Sequence, residues 1–108
     1  MEYSLKNSLM EIKVESLGAE LTGIKDLKTG KEYIWQKDPK FWAKSSPILF
    51  PFVGALKDNR YFYEGKEYNL TSKHGFARDY EFQVSDQGDD YLEFLLLQVM
   101  KQKSLSLI

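Results

Sequence analysis

Short period-two segments separated by turn residues constrain this chain more than any other feature. Apolar Met10, Ile12 and Val14 alternate with charged Glu11, Lys13 and Glu15, the pattern of a strand with one buried face. Residues 3–5 precede that strand across Lys6-Asn7-Ser8, a turn signal, so the chain opens with a hairpin. Gly18 breaks the second strand, and Ala19, Leu21 and Ile24 carry a third. Thr29-Gly30 predicts a tight turn that pairs residues 24–27 with a further strand at Tyr33-Ile34-Trp35. Pro39 ends that strand, since it cannot donate to a ladder. Residues 39–46 are the most helix-like piece and too short for more than a turn, with Phe41 and Trp42 as core or rim packing. Pro47 and Pro51 bracket Ile48-Leu49-Phe50 and favour an extended, edge-like conformation.

Beyond a loop at Gly54 and Lys57-Asp58-Asn59, Tyr61-Phe62-Tyr63 pairs with residues 66–70 around Glu64-Gly65. Residues 80–84 and 91–96 form another hairpin around the polar stretch 85–90. Short antiparallel strands at this spacing predict an all-β, antiparallel sandwich with no helix longer than two turns. A ladder that stops at Leu97 leaves open sheet edges through which the chain could self-associate. Residues 98–108 lack alternation, so residues 1–97 are expected to form the body and 98–108 a poorly packed, aberrant tail.

Composition removes several functions. The 108 residues amount to one domain at most, or part of a larger one. At 43% hydrophobic and 29% charged the chain is not a disordered type. A net charge of -1 without a basic cluster argues against nucleic acid as a partner. The absence of cysteine removes disulfides and thiolate chemistry, and one histidine makes a closed zinc site untenable, so neither metal nor cofactor is expected. The first residues hold no continuous apolar region of a signal peptide, and no stretch approaches the ~18 apolar residues of a membrane helix. A cytoplasmic protein without membrane contact is expected.

Residues 47–79 are the candidate site. Arg60, His74 and Arg78 stand near Asp58 and Asp79, interleaved with Tyr61, Phe62, Tyr63, Tyr68 and Phe76. Cations, carboxylates and aromatic faces on turns carried by strands suit a polar small molecule. Blander readings stand beside this one. His74 could be a turn histidine satisfied by backbone groups. Arg60 could be a solvated charge beside Asp58. Asp79 and Glu81 share a strand face at the spacing of a carboxylate pair, although structural or solvated roles fit them better. The tyrosines could stack on a sugar or pack across strands.

Taken in order, NSLMEIKVESLGAEL, EYIWQKD, SPILFPFVGALKDNRY and HGFARDYEF resemble the aldose 1-epimerase, or galactose mutarotase-like, family, and within it the bacterial LacX-type subgroup. The resemblance spans about residues 1–97 and rests on separate motifs in the right order. It implies a partial galactose mutarotase-like β-supersandwich. It also implies an aldose as the small-molecule partner, bound in a groove, and an isomerase that interconverts α and β anomers. In that family an Arg after Asn and the His of an HG motif hydrogen-bond the sugar; Arg60 and His74 match them. Arg78 matches an Arg of relatives that take phosphorylated hexoses.

Family proteins run to about three times this length. Their later half supplies a second histidine as general acid on the ring oxygen and a glutamate as general base on the anomeric hydroxyl. The single histidine here matches the positioning role, so no catalytic residue is assigned. The expectation is an epimerase-like protein with at most feeble activity; the alternative is a non-catalytic sugar-binding or structural remnant of the fold. A shifted frame of one coding of residues 98–108 gives a sequence close to how the family continues, so a frameshifted end is expected.

Overall fold

Asn7 sets the first reversal of the chain. Its side-chain Oδ1 accepts the Leu9 and Met10 amide hydrogens at 2.7 and 2.8 Å, and its own amide donates to the Met10 carbonyl at 3.0 Å. An asparagine that satisfies backbone donors two and three residues on is a turn former for that reason. It joins β1 (Glu2–Lys6) to β2 (Met10–Glu15), pairing Tyr3 with Val14 and Leu5 with Ile12. A computed structural model gives this architecture for residues 1–69 and 73–97. The expected end of one strand at Leu70 and the expected tail at 98–108 lie outside the described residues.

A corner at Ser16–Ala19 follows. Gly18 adopts φ +74, and a Cβ there would stand 2.6 Å from the Arg78 carbonyl oxygen, so glycine is required on both counts. β3 (Glu20–Asp26) returns antiparallel to β2, completing a three-stranded sheet in the order β1-β2-β3.

The fourth strand expected at Tyr33-Ile34-Trp35 does not form. The turn closes, with Gly30 donating to Asp26 and Asp26 to Lys31, but pairing shrinks to a single bridge between Lys25 and Glu32. The Glu32 carboxylate is the reason. Its Oε2 accepts the amide hydrogens of Ile24, Tyr33 and Ile34 at 2.8, 2.8 and 3.0 Å, so the Ile24 and Ile34 donors turn to one side chain while Tyr33 also keeps its ladder bond to the Ile24 carbonyl at 2.9 Å. Residues 39–42 form the expected single turn, with Phe41 and Trp42 donating to the Asp38 carbonyl. Those two aromatics are rim rather than core, 70% and 50% exposed.

β4 (Arg60–Tyr63) and β5 (Lys66–Asn69) pair around Glu64 and Gly65, both at positive φ, the backbone of a tight hairpin turn. β6 (Gln83–Gln87) and β7 (Leu92–Leu95) make the last hairpin, with a register shift between Val84 and Asp86. Its strand runs through Ser85 to Gln87, which the sequence placed in the loop. The described fold is therefore antiparallel β with two short 3-10 turns, at Lys57–Asn59 and Ala77–Asp79. No helix among the described residues is long and apolar enough to cross a membrane.

Side chains and bridges tie these sheets together. Tyr3 of β1 meets Phe94 of β7 edge-on at 5.6 Å. The 16–18 corner bonds to the segment before β6: Gly18 donates to Tyr80 at 2.7 Å and Phe82 to Ser16 at 2.8 Å. The buried apolar centre is Phe76 and Ala77, with Phe52, Leu56, Tyr61, Tyr80 and Leu96 packed around Phe76. The core thus sits directly beneath the HGFARD turn.

Candidate functional site

Two loops dock through their backbones to build the site. The Phe50 carbonyl accepts the amide hydrogens of Phe76 and Ala77 at 3.0 and 3.2 Å, beside a parallel bridge from Phe50 to Gly75. Gly75 has φ +81, and a Cβ on it would fall 2.0 Å from the Phe50 carbonyl oxygen. Only glycine lets the two chains approach so closely. Phe76 then drops into the core, edge-on to Phe50 at 6.3 Å and to Tyr80 at 5.7 Å.

His74 is fixed from the same loop. Its amide donates to the Gly54 carbonyl at 2.8 Å, and the Gly54 amide donates to His74 Nδ1, also at 2.8 Å. His74 has φ 66 and Gly54 φ +80. A left-handed conformation is uncommon for a residue with a side chain and persists where its surroundings over-determine it. The backbone-satisfied reading of His74 therefore holds for Nδ1.

Arg60 reaches its place through a different device. Asp58 and Asn59 both take left-handed φ values of 57 and 55, which their short polar side chains tolerate best. This sharp turn delivers Arg60 as the first residue of β4, opposite Asn69. Its guanidinium lies 3.3 Å from Glu67 Oε1, 4.0 Å from Asp58 Oδ2 and 5.6 Å from the Phe62 ring centre. At 45% exposure these pairs are solvent-screened. The carboxylate beside Arg60 is thus as much Glu67 as Asp58.

Arg78 belongs to the 3-10 turn Ala77–Asp79, with its backbone pressed against Gly18. Its Nε is buried and has no hydrogen-bond partner among the described residues. A buried donor in that state costs about 1–3 kcal/mol. The three candidates thus rest on different supports: His74 on Gly54, Arg60 on Asp58 and Glu67, Arg78 on the corner at Gly18.

Asp79 and Glu81 do not form a pair on one strand face. Asp79 closes a 3-10 turn, while Glu81 bridges Leu17 and accepts a hydrogen bond from the Ser16 hydroxyl. Glu81 is a structural residue. Tyr61 and Tyr68 are directly opposed and stack at 5.2 Å and 16°, and Tyr61 packs on Phe52 at 5.0 Å. Cross-strand packing accounts for both rings. Burial pushes the Tyr61 hydroxyl pKa up, with Tyr68 adding to it.

Sequence reasoning missed Gly54 as a site residue. A lone glycine in a loop signals positive φ, but no spacing rule says that its amide will meet a histidine twenty residues away.

Comparison with known proteins gives one consistent picture. The family profile described as aldose 1-epimerase matches residues 1–102. The plasmid-encoded LacX protein of Lactococcus lactis subsp. lactis is 38% identical over 98 residues, covering 87% of this chain and 32% of the relative. The chain therefore spans about a third of the length of the curated relatives it matches. A galactose mutarotase related enzyme from Lactobacillus acidophilus superposes with a TM-score of 0.87 at 35% identity, over 97% of this chain and 35% of that one. A galactose mutarotase-like protein from Lactobacillus casei gives 0.81 at 37% identity, over 87% of this chain and 32% of that one.

Proposed function

The chain belongs to the aldose 1-epimerase family, and from that premise we propose that it is a sugar-binding part of a mutarotase-type groove. Arg60, His74 and Arg78 position the aldose, and the chain alone has at most feeble epimerase activity. The observation that carries this reading is His74, the single histidine of the sequence, held in a left-handed turn by Gly54. Backbone strain maintained by bonds from two sides is a feature of ligand sites.

Arg60 and His74 share the sugar hydroxyls between them. The β4–β5 hairpin goes out from Arg60 and returns at Asn69, so its two bases lie about one strand spacing apart, ~4.8 Å. Arg78, whose buried Nε has no hydrogen-bond partner among the described residues, supplies a cation for a more acidic substituent such as a sugar phosphate.

Anomer interconversion needs an acid at the ring oxygen and a base at the anomeric hydroxyl, so that the ring opens, rotates and recloses. With His74 positioning substrate, the chain offers no second histidine for the acid. General acid–base groups contribute ~10²–10⁴-fold, and that factor is the one lost. Residues 1–97 are, in this reading, the N-terminal part of a mutarotase-like β-sandwich domain of a cytoplasmic protein.

Polarimetry of freshly dissolved α-galactose and α-glucose tests the activity. The expected trace follows the spontaneous rate closely, and family-level acceleration would refute the assignment. Galactose titration by NMR tests binding: weak shift changes around residues 58–79 are expected, diminished in His74→Ala and Arg60→Ala. Unaltered changes in both variants would remove the site.

A further inference from the structure

We infer that the Gly54 amide fixes the tautomer of His74, so that the imidazole meets a ligand only as a hydrogen-bond donor through Nε2. The geometry leaves little choice. An amide nitrogen can only donate, so the nitrogen that receives Gly54's hydrogen at 2.8 Å must carry a lone pair. In the neutral ring the hydrogen then resides on Nε2. The returning bond from the His74 amide to the Gly54 carbonyl closes a two-bond ring between the residues and keeps Nδ1 aimed at its donor.

The surroundings hold this arrangement rigid. The Phe50 carbonyl binds Phe76 and Ala77 just beyond His74, and Gly75 has no room for a side chain against Phe50. Moving the ring proton from Nε2 to Nδ1 would set two donors, Nδ1–H and the Gly54 amide, against each other. Gly54 is thus a positioning residue acting through its backbone.

Read with the sugar-binding proposal, on which this part rests, the consequence is a rule for the ligand. The atom opposite Nε2 is an acceptor, a ring oxygen or the lone pair of a hydroxyl.

The free chain decides the tautomer. In ring-nitrogen NMR of the ¹⁵N-labelled 108-residue protein, taken at mildly alkaline pH, Nδ1 is expected unprotonated and Nε2 protonated. A nitrogen–nitrogen coupling across the hydrogen bond from Gly54 to Nδ1 should accompany this. A ring protonated at Nδ1, or two tautomers in comparable amounts, overturns the inference.

Two substitutions separate the nitrogens. An Asn oxygen lies as many bonds from Cβ as Nδ1 does, and the Gln amide nitrogen as many as Nε2. His74→Asn should therefore leave Gly54 amide exchange near the parent rate. His74→Gln should speed it about tenfold, one net hydrogen bond's worth. In galactose titrations the order reverses, with His74→Gln keeping the shift changes that His74→Asn loses. If no chain responds to galactose while the coupling persists, the sugar reading fails and the tautomer stands. Should a variant fail to fold, the parent spectrum still decides.

Discussion

Glu32 accepts the Ile24 amide hydrogen at 2.8 Å from the far side of the Asp26–Lys31 turn, so a side chain does the work of a strand there. The same oxygen binds the Ile34 and Tyr33 amides. These bonds, Ile34's first, then Ile24's and Tyr33's, with a contribution from Lys13, hold its carboxyl below the ordinary value of 4.5 against an opposing push from burial. A depressed folded-state pKa gives stability that is complete above the unfolded value and lost as pH falls through the folded one. Glu32→Gln should therefore destabilise the chain near neutral pH, with the gap to the parent narrowing below about pH 4. Urea unfolding across pH measures it, and a gap that does not change with pH would contradict the account.

Gly54 and Gly75 should respond differently to alanine. Around Gly54 nothing lies within 4 Å of an added Cβ, so only the left-handed backbone is penalised, by about 1–2 kcal/mol. At Gly75 the same backbone penalty adds to a clash with the Phe50 carbonyl, and overpacking costs a further ~1–3 kcal/mol. Denaturant midpoints would rank the two, and equal losses would mean that the 50–54 and 74–77 loops are not docked as described.

Phe76 should dominate the mutational sensitivity of the core. It is 6% exposed and ringed by aromatic and aliphatic neighbours. Phe76→Ala is expected to cost about 3–5 kcal/mol, a large part of the ~5–15 kcal/mol typical of a domain. A loss under 1 kcal/mol, read from urea curves, would show that Phe76 is not the packing centre.

Arg60→Ala should separate stability from binding. The pairs with Glu67 and Asp58 are exposed, so unfolding should change by less than about 1 kcal/mol. Under the proposed function the same variant loses most of the galactose response. A variant that unfolds readily would make Arg60 a structural residue.

The hairpins were legible because their signals are local. Asn7 and Glu64-Gly65 each specify a reversal from their own chemistry, and period-two patterning set the pairing on either side. The shrunken strand at 33–35 was not legible, since nothing in its apolar pattern reveals that Glu32 will gather the amides. Arg60, His74 and Arg78 were nameable from motif context, yet their supports were hidden: Gly54, Glu67 and Gly18 lie far along the chain or across a strand. For Glu81 the structural role was legible as the better reading, but its partner Ser16, 65 residues away, was not.

That last separation bears on how the chain acquires its structure. The corner at Ser16–Gly18 finds its partners only at Tyr80–Phe82. Closing so long a loop is an entropic toll taken before the contact returns anything, and pairings of this kind slow folding. The first sheet can assemble early from neighbours in sequence, but it stays unanchored until nearly all the described residues have left the ribosome. The late knot between residues 16–18 and 80–82 is therefore expected to set the pace of folding, and the Gly18 amide to gain protection last.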